Sequence, residues 1–397
     1  MRILCLTSRL PYPPNRGDRL RAFNFIKHLS REHELHLASF IAHPREEAQA
    51  EALAPYCREI HLIRKSPAGS ALTVAGNLWR RQPLQVLYYR SRAMQRLVDR
   101  LLATHDFDAA YVHMFRMTPY VAGVRGLYRI VDLTDVVSAE VERSLAYRSR
   151  FWRLLYRIEG PRISAYERYV AREFEETWLI SEADRQALVA ACPEANVMVV
   201  PNGVDVERLR PDPRIAPVPN SLIFVGHLRV FHNVDAARYL VQDILPLVQA
   251  AGEKVTVQLV GANPAPEVQE LANVPGVSVP GYVPDLNAAL NAAAVFVAPL
   301  RFAAGVQNKV LEAMAASRPV VTNNLVNAGL GATGEEHLLL AEDAAGMARQ
   351  IVRLLRDSDL RARLGAAGRA FVQTRYRWGY AVERMAAIEQ EVAKPNG

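Results

Sequence analysis

The stretch Ala298–Thr322, APLRFAAGVQNKVLEAMAASRPVVT, decides how the rest of the chain is read. It opens on the end of a buried strand, AAAVFVAPL. A glycine-bearing turn follows, Ala303-Ala304-Gly305. The spacing then predicts a helix over about Gln307–Ala316 and a second apolar strand over Pro319–Thr322. Such a strand–loop–helix–strand unit presents backbone N–H groups at a helix N-terminus, where the dipole favours an anion. Lys309 falls in the first turn of that helix, where its charge opposes the dipole. Five of the 48 basic residues are lysine, so a lysine at this place stands out. Glu312 lies one turn on, on the same face. Two readings follow. Lys309 answers a nucleotide's diphosphate and Glu312 its ribose hydroxyls, or the two form a plain i, i+3 ion pair on a solvated helix.

Outward from this stretch, 397 residues are enough for two domains with full cores, and 50% apolar with 22% charged residues is an ordinary globular balance. Cys5, Cys57 and Cys192 show neither pairing nor metal-ligand spacing, which suits a reducing cytoplasm. The N-terminus lacks a signal peptide's pattern, and the longest apolar run, Ala288–Leu300, is too short to span a bilayer, so a soluble protein is expected. The net charge of +7 lies wholly before residue 196. An anionic partner would explain it, and so would an arginine-rich solvated face.

Met1–Ser8 reads as a strand, the proline loop Pro11–Pro14 leads to Gly17, and a helix is expected from about Arg19 to Arg31. Strand, loop and helix together begin a doubly wound domain. The loop lacks G-x-G-x-x-G, against a dinucleotide oxidoreductase. Strands are expected at His33–Ile41 and Ile60–Ile63, with a helix at Pro44–Tyr56 between them. Gly76–Leu102 interleaves arginines with Trp79, Tyr88 and Tyr89. It is the chosen membrane-surface candidate, against helices whose arginines snorkel over a core. Asp106 and Asp108 precede a strand instead of following one, so no metal role is assigned. His113 closes that strand, at the end that faces a crevice in open parallel sheets. Asp135 could cap the next helix, and Pro161 should kink or divide a long helical run. The chain is expected to divide into residues 1–200, 201–375 and 376–397, with a stiff linker at Pro211, Pro213, Pro217 and Pro219. Gly329 and Gly331 are expected to form a loop. No helix–turn–helix, zinc-ligand or aromatic RNA-platform pattern supports a nucleic-acid partner.

Glu312-Ala313-Met314-Ala315 matches the second half of the pattern E-G-F-G-x-x-x-x-E-A-M-A, and Gly305 falls close to its glycine turn. Pro201-Asn-Gly-Val-Asp205 and Ile180-Ser-Glu-Ala-Asp184 extend the likeness over nearly the whole chain. The sequence thus resembles the retaining glycosyltransferases of family 4. The wording G-V-Q-N-K-V-L-E and N-x-D-A (Asn233–Ala236) is similar to a subgroup found with exosortase-type exopolysaccharide systems. The pattern's first glutamate position is Ala304. The usual basic pair after the second domain's first strand is replaced by His227 and His232, with Arg229 between.

The resemblance implies an α/β, GT-B fold of two doubly wound Rossmann-like domains facing a cleft. It implies a retaining transferase that is metal-independent and needs no cofactor. Its donor would be a UDP- or GDP-linked sugar, and its acceptor a glycan or polyprenyl-linked molecule. It would be cytoplasmic, with peripheral contact to an anionic inner membrane face. His113, Lys309 and Arg229 would act on the reacting groups. Gly226, His227, Gly305, Val306, Gln307, Asn308, Glu312 and Tyr282 would hold the donor, with Tyr282 by the nucleobase. Gly17 and Asp135 would lie on the sugar and acceptor side. A final helix would return to the first domain. A non-catalytic nucleotide-sugar sensor or scaffold, and an epimerase or hydrolase on the same fold, remain open alternatives.

Overall fold

Near-continuous apolar runs such as Ile3–Leu6 and Ala109–Val112 suit strands covered on both faces, the habit of parallel sheets. The computed structural model, which describes residues 1–14, 17–77, 79–302 and 305–392, has two such sheets. The first holds β1 (Arg2–Thr7), β2 (Glu34–Ile41), β3 (Glu59–Arg64), β4 (Ala109–His113), β5 (Tyr128–Thr134), β6 (Glu176–Leu179) and β7 (Val197–Val199). The second holds β8 (Ser221–Val225), β9 (Thr256–Val260), β10 (Val277–Gly281), β11 (Val295–Val297), β12 (Val320–Thr322) and β13 (Leu339–Leu340). Their orders are β3-β2-β1-β4-β5-β6-β7 and β10-β9-β8-β11-β12-β13. Every pairing is parallel. Each sheet therefore reverses its winding beside its first strand, between β1 and β4 and between β8 and β11. Open α/β sheets take ligands outside the strand C-termini at that switch point.

One compact unit comprises Met1–Pro201 with Trp378–Gly397, and the other Asn202–Arg377. In the first unit one sheet face packs Leu4, Leu6, Phe40, Val112 and Leu133. The other face packs Ile3, Cys5, Tyr111 and Trp178 against Phe25 and against Met385 and Ile388 of the last helix, Gly379–Val392. That helix is also held by Arg384, whose guanidinium donates twice to the fully buried Glu176 (2.7 and 2.6 Å). All three cysteines are free and buried.

Several expectations change. The proline-rich segment is not a linker between the units. Asn291 accepts from the Asp212 amide and donates to the Arg210 carbonyl, and the Val218 amide donates to Ala292, so residues 210–218 belong to the second unit. Pro161 does not divide its helix, which runs unbroken over Arg150–Glu173. The Pro44–Tyr56 helix shrinks to Arg45–Gln49 and a 3₁₀ turn. Gly329 is helical, in Asn324–Leu330, because Asn323 caps the Val326 amide, and Gly331 ends that helix in the left-handed region. Within the basic stretch, Arg92–Thr104 is an amphipathic helix that buries Met94, Leu97, Val98 and Leu101. Large apolar exposure lies at Trp79 within the same stretch, and at Leu72, Phe151, Trp152, Leu154 and Ile158.

Candidate functional site

The second unit gathers its candidate residues at the C-terminal ends of β8 and β11. After β8 the chain turns through Gly226, His227 and Arg229 into the helix Phe231–Tyr239. A Cβ on Gly226 would stand 2.9 Å from the Asn233 amide carbon, and that amide donates to the His227 carbonyl at 3.1 Å. Asn233 thus shapes the turn. Asp235, two residues on, receives both arms of Arg301 from the segment after β11 (3.0 and 2.5 Å), while Phe302 lies 5.0 Å from the Phe231 ring. The N-x-D-A motif therefore joins the two loops that flank the switch point. Arg229 is exposed and His232 lies half-buried in the first turn of the helix.

Ala303 and Ala304 lie outside the described residues. Gly305 follows at φ 56°, and a Cβ on Gly329 would come within 2.3 Å of the Gly305 carbonyl oxygen. A glycine at 329 lets the two backbones touch, which sets the entry to the helix Asn308–Ala315. Gln307 precedes it as a buried N-cap residue without a side-chain cap bond, and Val306 is buried beside it. Asn308 accepts from Asn202 of the P-N-G-V-D segment at 2.9 Å. At the helix's far end Arg369 donates to the carbonyls of Ala315, Leu209 and Val206, binding the same segment to the helix C-terminus.

Lys309 donates to Gln307 Oε1 at 2.9 Å, and its ammonium lies 6.0 Å from the Phe224 ring centroid. Among the described residues no ion pair joins it to Glu312. Burial pulls the Lys309 ammonium down to about 8, although Glu312 nearby acts the other way. Burial likewise pushes the Glu312 carboxyl up to about 7, against the field of Arg208 and Lys309. Both side chains keep some solvent access, yet enclosure outweighs their mutual attraction. The plain surface ion pair is not what forms. A cation and an acid stand side by side, incompletely compensated, at a helix start. Tyr282 is exposed just after β10, next to Gly281 at φ 75°.

In the first unit His113 ends β4, buried. Its Nδ1 is 3.4 Å from both Asp132 Oδ2 and the Tyr111 hydroxyl, and its Nε2 has no hydrogen-bond partner. Tyr111 donates to Asp132 at 2.5 Å, and Arg21, from the helix Gly17–Leu29, donates to the same carboxylate at 2.7 Å. Burial raises the Asp132 pKa, but Arg21 and His113 outweigh it and hold the group well below the usual range. Asp132 thus stays ionised and orients His113 with Nε2 unengaged. Gly17 is exposed at its helix start. Asp135 does not cap the following helix, whose N-cap is Val136 without a side-chain bond. Burial, with Asp184 and Glu140 adding, lifts the Asp135 pKa well above its ordinary value. Asp108 accepts from the Arg2 amide at 2.6 Å, a strand-edge role.

Sequence reasoning did not single out Arg21, Asn202, Arg301 or Arg369. Arg301 lay inside the opening stretch, and its partner Asp235 inside a quoted motif. For the buried Arg21 and the half-buried Arg369 no local pattern marks the role.

Residues 219–357 match the family described as Glycosyl transferases group 1. A phosphatidyl-myo-inositol mannosyltransferase of Mycobacterium leprae is 30% identical over 208 residues, covering 50% of this chain and 54% of that protein. The chain thus matches about half the length of that curated relative. Among solved structures, sucrose-phosphate synthase of Thermosynechococcus elongatus superposes with a TM-score of 0.72 at 16% identity, over 99% of each chain. HepE of Anabaena in complex with UDP gives 0.69 at 16% identity, over 98% of this chain and 100% of that one. A further HepE structure holds UDP-glucose. The architecture is that of the GT-B glycosyltransferases: two parallel-sheet, Rossmann-like α/β units.

Proposed function

We propose that this protein is a retaining glycosyltransferase that moves a sugar from a nucleoside-diphosphate sugar to a lipid-linked glycan acceptor, in the building of a cell-surface exopolysaccharide. The observation that carries this reading is the uncompensated Lys309–Glu312 pair at a helix N-terminus beside a switch point. A diphosphate would restore the charge that burial discourages on Lys309, and ribose hydroxyls would donate to Glu312. The leaving group is a nucleoside diphosphate, so the chemical demand is to stabilise growing negative charge. Lys309, Arg229 and the N–H groups that open the helix would supply about 3 kcal/mol per well-placed donor. In a front-face mechanism the departing phosphate takes the acceptor proton, and no protein base is required. His113, with Nε2 unengaged, is assigned to the sugar. The mannosyltransferase relative and the nucleotide complexes of HepE support a nucleotide-sugar donor.

The acceptor reading rests on the first unit. A groove of about 520 Å³ is lined by Ala71, Val74, Ala75, Leu84, Tyr88 and Tyr89. Lys65 lies over the Tyr88 and Tyr89 rings with no hydrogen-bond partner on its ammonium, and burial, then Arg116 and Arg9, pull it down to about 8. An apolar trough beside crowded cations suits a lipid phosphate. The exposed Leu72 and Trp79 would let this edge touch an anionic membrane surface, as would Phe151, Trp152, Leu154 and Ile158 among arginines. Among the described residues no helix is long and apolar enough to cross a membrane.

Saturation-transfer NMR with UDP-, GDP- and ADP-sugars, on the wild type and on Lys309→Ala, tests the reading. A selective donor signal that the variant loses is expected. Silence from every donor overturns it, and donor binding without turnover on any polyprenyl-phosphate acceptor favours the scaffold alternative.

A further inference from the structure

The first unit carries a second cluster of ionisable groups, at the opposite end of the sheet from His113. His36 lies near the start of β2, Glu59 opens β3, and His105 ends the helix that leads to β4. One ligand-type atom from each lies within 4.8 Å of the other two. Hydrogen bonds settle which ring nitrogens face inward. Arg2 donates to Glu34 Oε1 at 2.6 Å. The Glu34 carboxylate, paired with Arg2, accepts from His36 Nε2 at 3.0 Å. That turns His36 Nδ1 toward β3.

This atom is buried in a residue only 1% exposed, has no hydrogen-bond partner, and faces Glu59 Oε2 at 3.6 Å. His105 repeats the pattern. Thr104 Oγ1 spends its proton on the Arg100 carbonyl (2.9 Å), so it accepts from His105 Nδ1, also at 2.9 Å. His105 Nε2 then faces Glu59 Oε1 at 3.5 Å. Two imidazole nitrogens thus converge on one carboxylate, at 3.5 and 3.6 Å.

We infer that His36, Glu59 and His105 form a binding site for a divalent first-row transition metal of the zinc type. Tetrahedral bonds of about 2.0–2.2 Å set donor atoms about 3.4 Å apart. The two contacts to Glu59, one to each carboxylate oxygen, stand at 3.5 and 3.6 Å, and with one atom taken from each residue the three lie within 4.8 Å, so a metal would draw them together. Two imidazoles and one carboxylate suit zinc, cobalt or nickel better than magnesium or calcium. Glu34 behind His36, Thr104 behind His105, and His61 donating to Glu59 Oε2 at 2.9 Å are the outer partners that orient metal ligands. Glu59 and His105 keep side-chain exposures of 39% and 25%, so a water can complete the shell. β3 is the edge strand of its sheet. The metal would clamp that edge to β2 and to the turn before β4, a role apart from sugar transfer.

The test uses the full chain, stripped with chelator and titrated with zinc. We expect one zinc per chain and a rise in Tm of about 5 °C at a hundredfold excess over Kd. Both should vanish in Glu59→Gln and in His105→Ala, each of which should melt like the wild type in chelator. Cobalt should give the intense visible bands of a four-coordinate site in the wild type, a readout that depends on no variant. Absence of stoichiometric binding, zinc binding that survives both substitutions, or cobalt bands of octahedral weakness would overturn the site. Under the first of these outcomes a second proton on His36 would be the link to Glu59.

Discussion

The two units each withdraw charge from water, one on a strand and one on a helix, and they treat it in opposite ways. In the first, Asp132 is met by Arg21, Tyr111 and His113, and its charge is fully answered within the fold. In the second, Lys309 and Glu312 share one face of a helix, form no ion pair with each other, and are both driven toward neutrality. A buried charge whose partners are all present serves architecture or orientation. A half-buried charge that its neighbours compensate only in part is a candidate for an arriving partner.

Four measurements would break or sharpen that contrast. The largest effect should come from Arg21→Met, which leaves the Asp132 carboxylate buried without its cation. It should destabilise the first unit by about 3–5 kcal/mol in chemical denaturation. A loss near zero would mean that Arg21 and Asp132 are not the compensated pair described. Lys309→Met should act the other way round. Calorimetry should show nucleotide-sugar binding weakened by about 1.5–3 kcal/mol, while Tm stays level or rises, because the variant removes a disfavoured charge. A fall in both would make Lys309 a structural residue.

The third measurement is the pH dependence of donor affinity, read with a diphosphate diester that does not titrate in the range. Above about 8 the free protein's Lys309 loses the proton that binding needs. Below about 7 Glu312 gains a proton and stops accepting from hydroxyls. Affinity should therefore peak between these values and fall up to about tenfold per pH unit on either side. A flat profile from 6 to 9 contradicts both assignments. The smallest stability effect is expected from Asp235→Asn. Its pair with Arg301 is partly exposed, so unfolding should change by at most about 1 kcal/mol. If Asp235 holds the loop after β11, donor affinity should drop more than stability does.

The sequence made much of the fold legible. Apolar runs with intervening helical spacing announced parallel α/β winding, and both sheets follow it with the same strand order. Boundaries were less legible where local signals compete. The prolines at 211–219 looked like a linker because proline stiffens any chain. Only the side chain of Asn291, some eighty residues on, shows which unit holds them. Gly329 looked like a loop residue because glycine weakens helices. The reason for it is a carbonyl at residue 305, invisible in the local pattern.

The candidate site divides in the same way. The sequence determined that a lysine and a glutamate sit one turn apart on a helix that follows a buried strand, because helical period and apolar runs are properties of neighbouring residues. Whether those two charges pair with each other was decided only by tertiary structure. The answer depends on how far the packed unit removes them from water, and enclosure is the sum of elements distant in the chain. The same holds for His36, Glu59 and His105. No spacing links them, and they meet because parallel pairing brings the starts of strands from three segments to one edge.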